Sequence, residues 1–279
     1  MNKFIFRMNK ANYITWMALI VVLSLGACTQ QTNQTAEHQT AGLPETPCAE
    51  EAVPEGGEWL TLFDGQTLTG WRGYCMDSIP AGWVVEEGNI TFRGSESTVN
   101  PEGGDLIYDR AFKNFILEID WKIDKAGNSG IFYTAQEVKG KPIYYSSPEY
   151  QLLDNENMPD AWEGVGGNRQ AGAVYDMVPP VPQPVKPYGN WNHTKIVLYK
   201  EHVYHYMNDT LVLDFKLGTP VWKALVDKSK FSEFSKDPEK CPDAYELMLD
   251  CGKNPGYIGL QDHGYGVCFR NIRIKDLDQ

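Results

Sequence analysis

In the stretch SSPEYQLLDNEN, residues 146–157, an apolar strand-like run is interrupted by Glu149, Gln151 and Asp154, spaced i, i+2 and i+5. Inside a core each of these groups would need a buried partner or would lower stability by about a kcal/mol or more. Along a cleft they form a working set: carboxylates that take and give protons, and an amide that holds developing negative charge. A second run, GYIGLQDHG, turns Ile258 and Leu260 inward and leaves Gln261 and His263 on the opposite face, between glycines that can open an imidazole to a cleft. A third, AGNSGIFYT, puts Asn128 at the start of a strand that also carries Tyr133; an Asn both donates to and accepts from a sugar hydroxyl, and the glycines let a ligand come close. His193 and His205, flanked by aromatic residues, read as packed side chains.

The elements that must carry these residues show a period of two. NFILEIDWKI places Phe115, Leu117, Ile119, Trp121 and Ile123 on one face, with Glu118, Asp120 and Lys122 opposite. GWVVEEGNITFRG reads as two strands turned at Glu87, Gly88 and Asn89, and EHVYHYMNDTLVLDFKL as two turned at Asn208 and Asp209. Helical spacing occurs once, over residues 219–234, in a short helical insertion near 219–251. Long strands without βα alternation or a 20–50-residue repeat predict an all-β fold of two antiparallel sheets, a jelly-roll sandwich with its ligand groove on one sheet. Within it, strict alternation sends Asp154 to the side opposite Glu149 and Gln151. One bulge near Leu152 and Leu153 returns it to their face, and this is the expected arrangement.

The ends of the chain are of another kind. Residues 1–27 hold Lys3, Arg7 and Lys10, an apolar run over 13–25 and small residues before Cys28, the pattern of a secretion signal; LGAC resembles a lipobox, implying cleavage before Cys28 and lipidation of its sulfur. Residues 28–57 are poor in large apolar side chains and read as a disordered tether, leaving 58–279 as the folded domain. Without residues 1–27 the chain has 22 Lys and Arg against 37 Asp and Glu, so nucleic acid is excluded as a partner and the membrane is reached only through the lipid. The 15 Tyr, 8 Trp and 11 Phe suit a neutral sugar partner as well as a core. Of the remaining cysteines, Cys241 and Cys251 bracket a short insertion and are the candidate disulfide pair. No CxxC pair or His-rich cluster suggests structural zinc.

Taken in order, LFDGQTLTGW (62–71), GNSGIFY (127–133), EYQLLDN (149–155), GAVYD (172–176), WNHTKIV (191–197), HYMND (205–209), SKF (229–231) and GYIGLQDHG with VCFRNIRIKDL (256–277) resemble the 3-keto-disaccharide hydrolase domain of secreted Bacteroidetes proteins. The resemblance implies a concanavalin-like jelly roll and cleavage of glycosides whose glucose C3 has been oxidised by a separate oxidoreductase. Thr134 stands where that family commonly has arginine, and Asp209 where glycine usually closes the hairpin. A C3 ketone acidifies the C2 proton, so a base expels the C1 substituent by elimination and water then adds back. In that scheme Glu149 or His263 is the base, Asp154 the acid, Gln151 and Asn128 hold the oxyanion, and Tyr133 and Gln261 add substrate contacts. A divalent cation held by Glu149, Asp154 and His263 is an alternative to the amides. Two other functions fit a jelly roll: a lectin-like module that binds sugar without cleaving it, and a glycosidase using two carboxylates on unoxidised sugar. The sequence TQQTNQ after Cys28 has no acidic cluster, which leans the anchor towards the periplasmic side of the outer membrane.

Overall fold

The strand with the clearest alternation, β6 (Phe115–Ile123), buries every odd position and leaves the even ones half exposed. It lies mid-way in an eight-stranded antiparallel sheet. The computed structural model describes residues 53–54, 57–94, 104–234, 236 and 243–279. The expected signal segment, Cys28, nearly all of the tether, and Cys241 lie outside these residues. No described helix is long and apolar enough to cross a membrane.

Around β6 the sheet contains β1 (Trp59–Thr61), β3 (Trp83–Glu86), β4 (Asn89–Arg93), β9 (Asn192–Tyr199), β10 (His202–Met207), β11 (Thr210–Lys216) and β13 (Gly266–Asp276). Its order is β11-β10-β9-β6-β13-β4-β3, with β1 also on β13. Both expected hairpins form. Glu87 and Gly88 join β3 to β4, and Asn208 and Asp209 join β10 to β11, with all four residues at positive φ as two-residue turns require.

The second sheet has five strands in the order β2 (Trp71–Gly73), β5 (Leu106–Phe112), β12 (Gly256–Leu260), β7 (Asn128–Ala135) and β8 (Glu149–Leu153). Every residue of β7 and β8 is buried, so both faces of these strands are covered. One face meets the eight-stranded sheet: the Tyr133 hydroxyl lies 3.0 Å from His205 Nε2, and Tyr150 donates to the Tyr206 carbonyl at 3.2 Å. The other face lies under a 3-10 turn (Ile143–Tyr145) and part of the helical insertion. The free edge of β8 is closed by residues 172–175, through Gly172 N to Gln151 O (2.8 Å), Gln151 N to Ala173 O (3.1 Å) and Tyr175 N to Glu149 O (3.1 Å).

The insertion is helical but divided. Pro220 opens α2 (Pro220–Lys228), whose N-cap Thr219 accepts from Trp222 N at 3.1 Å. Ser229 then breaks the helix, donating to Val226 O and accepting from Phe231 N, before α3 (Lys230–Phe234) and α4 (Ala244–Leu249) follow. Cys251 is a buried thiol donating to the carbonyls of Ser146 and Leu247, and the disulfide expected between it and Cys241 falls outside the described residues. The same thiol lies 3.7 Å from the Met248 thioether sulfur.

Candidate active site

Because Tyr150 and Tyr133 face the eight-stranded sheet, alternation turns Glu149 and Gln151 on β8, and Asn128 on β7, to the opposite face. There a cavity of about 210 Å3 is lined by these three residues and by Asp105, Tyr144, Tyr175, Lys230, Gln261, Asp262 and His263. Of the candidate residues read from the sequence, Glu149, Gln151, Asn128, Gln261 and His263 therefore meet in one place.

Glu149 has room because its diagonal neighbour across the ladder is glycine. The register sets Gly130 opposite Gln151, and a Cβ at 130 would stand 2.4 Å from Glu149 Oε1. Gln151 spends its side-chain carbonyl on Leu152 N (3.1 Å), leaving Nε2 buried and unpartnered. Asn128 Oδ1 and Gln261 Oε1 are likewise buried without a partner, while Asn128 Nδ2 lies 3.5 Å from the exposed His263 ring. Buried polar atoms are nearly always satisfied, so three orphans on one wall mark groups waiting for a ligand. The Gln261 main chain is fixed by Gly130 O (2.9 Å) and Ser129 Oγ (2.8 Å), which holds its amide in place.

Two expected members are elsewhere. No bulge interrupts the β7–β8 register, and β8 ends at Leu153. Asp154 is buried at the strand end. Its Oδ2 accepts from Ala126 N (2.8 Å) and Asn157 Nδ2 (2.8 Å), and Oδ1 from Glu156 N (3.1 Å). An acid so occupied pins loops, and it lines no part of the cavity. The cation cradle of Glu149, Asp154 and His263 is consequently not assembled. Tyr133 points between the sheets and is fully buried there. Thr134 is buried against Ser147 and lines no part of the cavity.

Sequence reasoning missed the groups that loops and the helical insertion supply. Asp105 accepts from Asp262 N at 3.0 Å, and burial, with the neighbouring Asp262 charge, pushes its carboxyl up to about 7 although that hydrogen bond opposes the rise. Burial also raises the Glu149 carboxyl; the Lys230 charge opposes the rise, and Asp105 and Asp160 add to it. Burial pulls the Lys230 ammonium down, with Glu149 opposing. Lys230 Nζ stands 4.2 Å from the Tyr175 ring centre and 4.9 Å from that of Tyr144, two faces that favour a cation. Asp176 sets the helix start that carries it: one oxygen accepts from Lys230 N (3.0 Å), the other from Arg169 Nε (2.8 Å). The motifs GAVYD and SKF held this pairing, but neither has a period that reveals it.

The other histidines divide. His205 is buried, and desolvation lowers it to about 3, against the opposing bond to Gly172 O. In that neutral ring Nδ1–H donates to Gly172 O (3.1 Å), so Nε2 accepts from Tyr133. His193, expected to be packed, is half exposed and pairs with Asp120 at 2.8 Å, which raises it.

A two-sheet β-sandwich with acids, an amine and unpartnered amides in a sugar-sized recess defines a carbohydrate-active protein. The chain belongs to the family of 3-keto-alpha-glucoside-1,2-lyase-like domains, which matches residues 58–275. It is 50% identical over 233 residues, 79% of each chain, to the 3-keto-disaccharide hydrolase of Bacteroides thetaiotaomicron. A crystal structure from Parabacteroides distasonis, of a protein provisionally named a glycosyl hydrolase, aligns with a TM-score of 0.64 at 30% identity, covering 79% of this chain and 94% of that one. A second from the same organism, at 23% identity and TM-score 0.55 over 78% and 99%, shares the fold.

Proposed function

We propose that this protein cleaves 3-keto-glucosides by removing the C2 proton, expelling the C1 substituent and adding water to the unsaturated sugar. The observation that carries this reading is the recess itself: two carboxyls raised towards neutrality, an amine between aromatic faces, and three buried amide atoms without partners. Two carboxyls in one desolvated site keep a proton between them near neutral pH, so one is ready as base while the other is ready as acid.

The pair carries its proton mainly on Glu149, which holds one up to about 8 where Asp105 holds one up to about 7. In the lesser form, with the proton on Asp105, Glu149 takes the C2 proton and Asp105 delivers its own to the leaving oxygen. Gln151 Nε2 and the Lys230 ammonium stabilise the C3 enolate, and Asn128 Oδ1 and Gln261 Oε1 accept from sugar hydroxyls. His263, at the exposed margin, is the alternative base. Addition of water then places hydroxyl on C1 and a proton on C2, giving net hydrolysis. Neither half-step changes the sugar's overall oxidation state, so the ketone is installed by a separate C3 oxidoreductase. A recess of about 210 Å3 is smaller than the about 300–1,000 Å3 of drug-sized sites and suits a single ring, which favours an enzyme over a lectin groove.

Incubating the protein with glucosides and their 3-keto forms in parallel tests the reading. Turnover is expected for the keto forms alone, and Glu149→Gln should lower it by about 10²–10⁴-fold without changing the circular dichroism. An undiminished rate would remove Glu149 from the scheme, and equal turnover of unoxidised glucosides would replace the scheme with two-carboxylate hydrolysis.

A further inference from the structure

Beyond the recess, a second cavity of about 420 Å3 has Asn128, Asp160, Glu163, Tyr175, His263 and Tyr265 in its walls. Asn128, Tyr175 and His263 belong to both cavities, so the two adjoin. The inner one is the smaller and holds the acid–base groups. The outer one holds neither Glu149 nor Asp105.

Its walls have a distinct chemistry. Tyr265, 37% exposed, lies near-parallel to the His263 ring with centres 6.0 Å apart, offering a flat apolar face at the margin. Opposite in character are Asp160 and Glu163. Asp160 is tied to Arg169 at 3.0 Å and accepts from the Tyr175 hydroxyl, whereas the Glu163 side chain is 66% exposed and only 3.9 Å from the same guanidinium. One arginine, itself shared with Asp176, leaves this rim with an excess of negative charge. The rim is built on the turn that Asp154 organises: Asp154 O accepts from Met158 N at 3.0 Å, and its side chain holds Ala126 N.

We infer that the outer cavity is the leaving-group site, that it takes an uncharged, hydroxylated ring stacked on Tyr265, and that Glu163 disfavours anionic leaving groups. This rests on the proposed reaction, because only a keto-sugar in the inner recess makes the outer cavity the place of the C1 substituent. A ring stacked on a tyrosine face gains enough to matter, and a carboxylate meeting Glu163 is repelled.

The test compares three 3-keto-glucosides whose leaving groups are methanol, a neutral hexose and a uronic acid. Tyr265→Ala should lower kcat/KM for the hexose substrate relative to the methyl one by between about twofold and tenfold. Glu163→Gln should narrow the preference for hexose over uronate, by about twofold to fivefold at low ionic strength, and added salt should narrow it in the unaltered protein. Unchanged ratios in both variants, with turnover intact, overturn the assignment of the outer cavity and leave the proposed reaction standing. No turnover of any 3-keto substrate by the unaltered protein overturns the reaction and the assignment with it.

Discussion

The carboxyl of Glu149 depends on an absence of atoms at Gly130. This glycine sits in extended backbone, so it is kept for space and not for a left-handed turn. A methyl there would meet the Glu149 Oε1, Cγ and Cδ at 2.4–2.8 Å, on a residue walled in by Tyr175 and the ladder. Something must shift, and the free end is the carboxylate. Gly130→Ala is expected to lower kcat on 3-keto-glucosides by about a hundredfold, the scale of a 1 Å misplacement, while costing about 1–3 kcal/mol of stability. Steady-state kinetics with a urea melt read both. Normal kcat would show that the carboxylate has another place to work from.

Asp154 acts on whole elements. As the link between the end of β8, the turn over 124–127 and the turn leading to α1 (Asp160–Glu163), it accepts from three donors, Ala126 N, Glu156 N and Asn157 Nδ2. Asp154→Asn puts a donor where only acceptors fit. It should lower stability by about 1–3 kcal/mol in denaturant melts, with kcat on the methyl 3-keto-glucoside falling far less than the loss of a proton donor would cause. If instead turnover of every substrate drops by about 10²-fold or more with an unchanged melt, Asp154 is the acid after all. The misplacement has a physical cause: a bulge near Leu152 and Leu153 was the only local device that could bring Asp154 to the Glu149 face, and the ladder from Asn128 to Phe132 runs without one. Strand pairing at a distance decides such a point. What alternation alone controls was legible, including β6, both hairpins and the shared face of Glu149 and Gln151; the β7–β8 register then adds Asn128 to that face. Asp105 and Lys230 were not, because a loop before β5 and the start of α3 reach the recess only through tertiary packing. Tyr133 is a different case: it sits an odd number of residues from Asn128 on the same strand, so alternation already places it on the core face, opposite Asn128.

Across the whole molecule the same burial that tunes the recess sets how stability responds to pH. Asp105 binds its proton more tightly folded than unfolded, so its contribution is complete below its ordinary 3.8 and is lost as pH rises through about 7. Glu149, raised by burial, acts in the same direction from its ordinary 4.5 upward, and so does His193, whose partner Asp120 holds its proton. His205 acts oppositely: its neutral ring between the sheets stabilises above 6.5, and that contribution is lost as pH falls towards about 3. Between pH 8 and 6.5 only the first set changes, and the formal charge of −12 adds to it, since self-repulsion also grows with pH. The melting temperature is therefore expected to rise as pH falls from 8 to 6.5. Below 6.5 the His205 contribution begins to cancel the carboxyls, and the curve flattens. Asp105→Asn with Glu149→Gln keeps the shape of both side chains and removes their protons from the balance, so the double variant should lose most of the rise and show the His205 decline below 6.5 uncovered. Each kcal/mol moves the midpoint by about 2–4 °C in a domain of this size, within reach of calorimetry. A double variant with the pH curve of the unaltered protein would mean that neither carboxyl is protonated in the folded state near neutrality, and the acid–base pairing proposed for the recess would go with it.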